Sequence, residues 1–553
     1  MPSSTPARRW FRIALLFYGA LNAILYAGLL PLWEGFDEPF HYGYVQEVSR
    51  RGALPVLGKT VLSEEVVRSL DLVPAGYAVA RNVGRGVVFD DYFRMPAEQR
   101  RELRRRLEQV DPASAAGDSQ SPNYESNHPP LAYALLAPFD ALWASVPLPA
   151  RVLRLRLLGA LAAVLLLWFA TLRLCALLEL PDSIPLAVMF VVFSSQMFYG
   201  TVCHIANDWL AVPLFTLVLS EAVALYCQPR PATGIRLALV LAAGLLTKAY
   251  FLAAVPFAAG VVGLCCWRRK LPWTKGAMSI ALALAIAAPW YIRNLALYQN
   301  LSGMQETMGG TPFGELVRAA AHIPWVDAAL VTARTSLWTG NNSLRALSRN
   351  TTHVMLGLLI AALCVYLWRA VRGRVGGAER VVLAGTLCFT AALVYSTVLT
   401  YWSTRGAGIS PAPWYVQVLL APGLCLLFIG LSQNGWAGRA LWLAMVWTWT
   451  YVIALSYGVK LIPFYAGFTT GTAHLSDLPR WYARFLSGSY GALETDALLP
   501  PGFLLAMAAG VVTMAVILAA ALSVFSFRNF LCRATLIMSP YGLVRNVPYS
   551  EDL

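Results

Sequence analysis

Apolar residues in this chain run in long blocks separated by short polar or basic loops, and many blocks approach the roughly 20 residues that cross a bilayer. The first block follows Ala7-Arg8-Arg9-Trp10-Phe11-Arg12 and continues to Leu32. Its length, and the lack of a small-x-small site before Pro31-Leu32-Trp33-Glu34, predict an uncleaved helix rather than a signal peptide. Further spans are predicted near 152–179, 184–203, 208–227, 235–248, 249–266, 276–296, 354–370, 380–401, 413–431, 437–458 and 502–527. The block from Ile235 to Trp267 is too long for one crossing without strong tilt, and Thr247-Lys248 stands at its middle. A lysine is costly at mid-bilayer and cheap at a turn near the surface. The block therefore divides into two short helices turning at Lys248. The fold class is all-α integral membrane, a bundle of about twelve transmembrane helices, give or take one or two.

Loop charge orients the bundle. With the N-terminus inside, the cytoplasmic loops hold Arg230, Arg236, Arg268, Arg269, Lys270, Lys275, Arg369, Arg372, Arg374, Arg380 and Arg439. The C-terminal tail adds Arg528 and Arg533. This is the inside excess expected of short loops, and it puts both termini in the cytoplasm. The long loops 33–150, 297–353 and 459–501 fall outside. In the first of them, Arg100 to Arg106 is predicted as a short helix on the membrane surface or under the site, and Pro129 to Trp143 as an interfacial or re-entrant helix. Composition agrees: of 553 residues 58% are hydrophobic and 13% charged, against roughly 25% charged in soluble domains. The net charge of +14 sits largely in loops, so nucleic acid is not the expected partner; membrane lipid is. Nine cysteines without a CxxC spacing indicate neither a zinc site nor a disulfide framework.

Placed on this topology, the polar residues that could carry chemistry share one face. They are Glu34, Asp37, Glu38 and His41 after the first span; His128 before the interfacial stretch; and His204, Asn207 and Asp208 between two spans. Lys248 and Tyr250 stand at the divided block, Arg293 closes the following span, and Arg405 to Gln417 joins two later ones. Carboxylates, histidines and cations beside lipid suit transfer from an anionic lipid. Lys248, Arg293 and Arg405 could neutralise a phosphate. Asp37, partly desolvated next to the bilayer, could take a proton from an acceptor. Plainer roles stand beside these. Asp37-Glu38-Pro39 suits a helix cap, the histidines suit hydrogen-bonded structure, Lys248 and Arg293 suit interface anchors, and Trp290, Tyr291, Trp414 and Tyr415 suit an aromatic belt. Sequons stand at Asn300, Asn341 and Asn350.

The order of these segments resembles the C-type (GT-C) glycosyltransferases, multi-pass enzymes that use polyprenyl-phosphate sugars, and within them the protein mannosyltransferase and aminoarabinose transferase branch. The resemblance rests on Asp37-Glu38-Pro39-Phe40-His41-Tyr42, Gly52-Ala53-Leu54-Pro55, His128-Pro129-Pro130-Leu131, Asn207-Asp208, Thr247-Lys248 and Pro289-Trp290-Tyr291-Ile292-Arg293-Asn294. It covers roughly residues 12–300, a seven-helix module including the outer loop, with 301–553 as a variable module of about five helices. It implies a sugar transferase on the non-cytoplasmic face of a cell membrane, in bacteria the inner membrane. Asp37 and Glu38 would be catalytic; Lys248, Arg293 and Arg405 would hold the donor phosphate. His41, His128, Asn207, Asp208, Tyr250 and Gln417 would meet the sugar or acceptor. The scheme requires no metal and no cofactor; a divalent cation between acid and phosphate is compatible with it. Sugar and acceptor (lipid, glycan or protein) are left open. A transporter or flippase of a lipid-linked or anionic solute, and a non-catalytic assembly factor for surface polysaccharide, are the rival functions.

Overall fold

The computed structural model describes residues 6–76, 84, 86–307, 310, 312–343, 346–469 and 475–537. Among them, ten helices are long and apolar enough to cross a membrane: Arg8–Leu29, Leu148–Leu177, Asp208–Cys227, Ala249–Trp267, Trp273–Tyr298, Arg349–Val371, Gly377–Ser403, Pro413–Ser432, Gly435–Tyr465 and Pro501–Phe525. The expected span at 184–203 is a bent pair, Ser183–Phe193 and Gln196–Val202, meeting at 68°. Hydroxyls supply the bonds that the bend breaks: Ser195 Oγ donates to the Val191 carbonyl at 2.7 Å and accepts from Trp449 Nε1 at 2.9 Å. The block from Ile235 to Trp267 divides as expected. Pro231–Leu245 is a shorter apolar helix, and Lys248 stands in extended backbone before the next span. The chain is an integral multi-pass membrane protein.

Of these ten helices Asp208–Cys227 is the innermost span and Arg349–Val371 the most exposed. It packs on Leu148–Leu177, Pro231–Leu245 and Gly377–Ser403. Helices from beyond residue 301 are thus built into the bundle: Pro501–Ile537 lies along the first helix, and Leu420–Ser432 packs on Ser183–Phe193. The outer loop folds on top. Glu38–Arg51 packs against Leu131–Leu142, and two small sheets pair Val61–Ser63 with Asp118–Pro122 and Pro74–Ala75 with Val87–Val88. A dry ionic cluster ties this loop to the bundle. Arg151, on Leu148–Leu177, pairs with Glu65 and lies 3.4 Å from Asp140, all three side chains being 0% exposed. Tyr42 bridges Arg151 and Asp140.

The arginine-rich stretch forms the helix Ala97–Glu108, whose one buried residue is Leu107. It offers lipid no apolar face. Arg101 pairs with Glu98, Arg104 with Glu108 and Arg105 with Glu102, at the i, i+3 and i, i+4 spacings that make neighbours on a helix. The helix instead docks on the 493–496 turn, where Arg104 donates to the Thr495 carbonyl.

Candidate functional site

Asp37 is the N-cap of Glu38–Arg51, and Pro39 in the first turn presets the helix start. Its backbone lies in the left-handed region, φ 54°, which Asp tolerates better than most residues. Its side chain makes no capping bond. The carboxylate, freed from the helix, accepts from the Tyr124 hydroxyl at 2.5 Å. Burial, and then Glu125 nearby, hold the Asp37 pKa above the ordinary carboxylate range, while Tyr124, His128 and Lys248 pull the other way. Were Asp37 to act as a base it would have to be ionised, and its contribution to rate would be lost as pH fell through this raised value. Tyr124→Phe removes a bond that favours the charged form. The acid limb of the pH–rate profile is therefore expected to move to higher pH; a limb that stays in place would remove Asp37 from the rate-determining proton transfer.

Glu38, expected beside Asp37 as a second acid, is engaged by Arg156. Its Oε1 accepts from Arg156 Nε at 2.7 Å and from the Ile205 backbone N–H at 3.0 Å, and Oε2 pairs with Arg156 Nη2. Both side chains are 0% exposed. The same guanidinium donates to the carbonyls of Ala27, Leu30 and Pro31, closing the first helix. Both Glu38 oxygens are thus engaged, in the turn that carries Asp37.

His41 and His128 come together, ring centroids 5.7 Å apart. His41 Nδ1 bonds the Tyr133 hydroxyl at 2.8 Å, and burial lowers its pKa to about 3, leaving the ring neutral. Between the histidines lies Glu125, which sequence reasoning missed. It pairs with His128 Nε2 and stands 3.9 Å from His41 Nδ1. Burial raises the Glu125 pKa, but His128, His41 and Lys248 together more than offset this and hold the carboxylate below its usual range. The available signal was local: Glu125 precedes His128 by three residues.

Lys248 Nζ donates to both oxygens of Asp208, each at 2.6 Å, and lies over Tyr415 and Tyr250, 4.7 and 5.5 Å from their ring centroids. Asp208, expected at the sugar or acceptor, is the counter-ion of Lys248 here. Tyr415, assigned to the aromatic belt, is part of the same cluster. Asn207 is fully buried at the start of the innermost span, and neither atom of its amide has a partner. The Tyr250 hydroxyl is likewise unpartnered. Gln417 donates to the Ser336 carbonyl at 2.9 Å, while its Oε1 has no partner.

The other two cations stand apart. Arg293 donates to the carbonyls of Pro55 and Leu54, at 2.6 and 3.3 Å, and stacks on Trp290, so it clamps the outer loop. Arg405 lies in an exposed turn after Gly377–Ser403, at φ 53°. Neither lines the cavity of about 660 Å³ that opens beside Lys248. Its lining is polar at Asn127, His128, Lys248, Tyr250 and Tyr415 and apolar at Leu252, Pro256, Phe389 and Leu393. Among the described residues, no group of three or more His, Cys, Asp or Glu is arranged to hold a metal.

No family model matches the sequence, and no curated protein matches it either. Solved structures do. Over 94% of its length the chain is similar to ArnT from Cupriavidus metallidurans bound to undecaprenyl phosphate, at 13% identity and TM-score 0.48, covering 78% of that protein. It is also similar to the Archaeoglobus fulgidus oligosaccharyltransferase in its apo form, at 10% identity and TM-score 0.43. A third match, at 11% identity and TM-score 0.41, is the oligosaccharyltransferase AglB of the same organism in complex with an inhibitory peptide and a dolichol-phosphate. The chain spans 57% and 56% of these two oligosaccharyltransferases.

Proposed function

We propose that this protein is a membrane glycosyltransferase that moves a sugar from a polyprenyl-phosphate donor to an acceptor on the non-cytoplasmic face, with inversion, both termini being cytoplasmic. The cavity beside Lys248 carries the proposal. It combines apolar lining suited to a lipid chain with one cation, Lys248, and two phenols, Tyr250 and Tyr415. Lys248, held and oriented by Asp208, and the hydroxyls of Tyr250 and Tyr415 receive the phosphate. Asp37, within electrostatic reach of Lys248 and His128, stands toward the acceptor. The acceptor O–H or N–H gives its proton to Asp37 as its lone pair attacks the anomeric carbon. The bond from that carbon to the phosphate oxygen breaks, and the polyprenyl phosphate leaves with the electron pair. Fixed charge placed where the leaving group gains charge is commonly a large term in catalysis. His128, oriented by Glu125, faces the sugar end of the cavity. The sequence resemblance to C-type transferases supports the same assignment of Asp37 and Lys248.

Undecaprenyl phosphate titrated into the purified protein, followed by native mass spectrometry with a phosphatidic acid as control lipid, tests this. The wild type binds the polyprenyl phosphate in preference, and Lys248→Met weakens that binding at least tenfold, about 1.4 kcal/mol. Equal binding of the two lipids, or an unchanged Lys248→Met variant, would overturn the assignment. Uptake of an anionic solute by vesicles holding the protein, without polyprenyl-phosphate binding, would favour a transporter.

A further inference from the structure

The loop that carries Asp37 is held from the far half of the chain. Residues 338–343, Trp-Thr-Gly-Asn-Asn-Ser, run from the helix Trp325–Leu337 into the protein between the first helix and the end of Gly435–Tyr465. Asn341 heads a sequon but is 1% exposed, so it is no surface acceptor site. Its Oδ1 accepts from Tyr26 at 2.9 Å and its amide donates to Tyr465 at 3.0 Å. The next residue reaches the catalytic loop. The Asn342 backbone N–H donates to the Glu34 carbonyl at 3.2 Å, and its side-chain amide donates to the carbonyls of Gly35 at 2.8 Å and Trp33 at 3.3 Å. Ser343 N–H and the Tyr465 hydroxyl both donate to Glu34 Oε1, each at 2.9 Å.

Trp33 and Asp37, at either end of this grip, both hold left-handed backbone, φ 66° and 54°. Such conformations persist only where surrounding contacts over-determine them. Two glycines show how tight the grip is. A Cβ on Gly35 would overlap His204, and one on Gly76 would overlap Asn342. The five-residue turn is therefore wedged between the strap and the start of the innermost span, and its exit is the carboxylate proposed as the base.

We infer that the strap Trp338–Ser343 is a positioning element for Asp37, with Asn342 as its gripping residue and Glu34 as the buried acceptor that anchors it. The inference rests on the transferase assignment for what Asp37 does, but its geometry can be tested without that assignment. Neither Asn342 nor Glu34 lines the cavity, so the strap governs the order of the Asp37 loop and leaves lipid binding alone. Burial pushes the Glu34 carboxyl up to about 7, so Gln is a close stand-in that keeps an acceptor for Ser343 and Tyr465.

Hydrogen–deuterium exchange of the full-length protein in nanodiscs, with undecaprenyl phosphate binding measured on the same samples, tests the strap directly. Asn342→Ala and Glu34→Ala are expected to raise exchange in residues 33–38 at least tenfold. Exchange in 208–227 and the affinity for undecaprenyl phosphate should stay within twofold of wild type, and Glu34→Gln should restore protection. Unchanged exchange at 33–38 in Asn342→Ala would overturn the inference. So would a rise spread evenly over the whole outer loop, or a Glu34→Gln variant as exposed as Glu34→Ala. Should Glu34→Ala not fold, Asn342→Ala alone separates these outcomes. A failure here leaves the transferase assignment standing, because that assignment depends on lipid binding and on Asp37.

Discussion

Asp37→Asn is expected to lower transfer about 100- to 10,000-fold, the usual worth of a positioned general base, while undecaprenyl phosphate binds within twofold of wild type. The amide is nearly isosteric and keeps an oxygen to accept from Tyr124, so the left-handed turn and the strap stay in place; what is lost is the ability to take a proton. Because binding and chemistry separate, the loaded donor accumulates. Mass spectrometry of lipid co-purifying with the variant should show a glycosylated polyprenyl phosphate enriched over wild type, which would also name the sugar. Glu125→Gln is the informative companion. Glu125 is paired to His128 and is not hydrogen-bonded to Tyr124, so its loss should weaken turnover less. Wild-type transfer by Asp37→Asn, with the loss appearing in Glu125→Gln, would move the base to Glu125. Wild-type behaviour of both, with no glycosyl lipid in either, would favour a non-catalytic assembly factor.

The bundle was legible because the bilayer dictates its grammar: an unsatisfied backbone cannot cross lipid, so crossings must be apolar helices of about 20 residues. Asp208–Cys227 begins and ends where the apolar run does. The turn at Lys248 was legible for a similar reason, the cost of a mid-membrane charge. The bend at Ser194-Ser195 was not, because two serines inside an apolar run leave hydropathy almost unchanged and the bonds that permit the bend come from Trp449 and Tyr18, more than a hundred residues away in sequence. The site divides along the same line. Asp37, His41, His128 and Lys248 could be picked out because polar residues at span ends on one face are uncommon. Arg293 and Arg405 look like Lys248 in sequence and differ only in what they meet: loop carbonyls for one, an exposed turn for the other. Tyr124 meets Asp37 across 87 positions, a pairing that no local pattern announces.

Arg156 was hidden in the same way, as one of four arginines on the apolar helix Leu148–Leu177, and it carries the second large effect. Arg156→Ala leaves Glu38 without a counter-ion in a site that is 0% exposed and strips the donor from three carbonyls at the end of the first helix. Breaking a buried pair on one side costs about 3–5 kcal/mol, because the remaining charge stays desolvated. The apparent melting temperature in detergent should fall by ~5 °C or more. Glu38→Gln, which keeps an acceptor for Arg156 Nε and for the Ile205 N–H, should cost less than Arg156→Ala. The double variant Arg156→Met/Glu38→Leu should recover part of the loss, since no charge is stranded, but not all of it, since the helix-end carbonyls still lack their donor. This series also separates positioning from catalysis for Glu38. A positioning residue loses stability and turnover together, and Glu38→Gln retains much of both. A catalytic carboxylate would lose turnover in Glu38→Gln at an unchanged melting temperature, and that outcome would return Glu38 to the reacting centre beside Asp37.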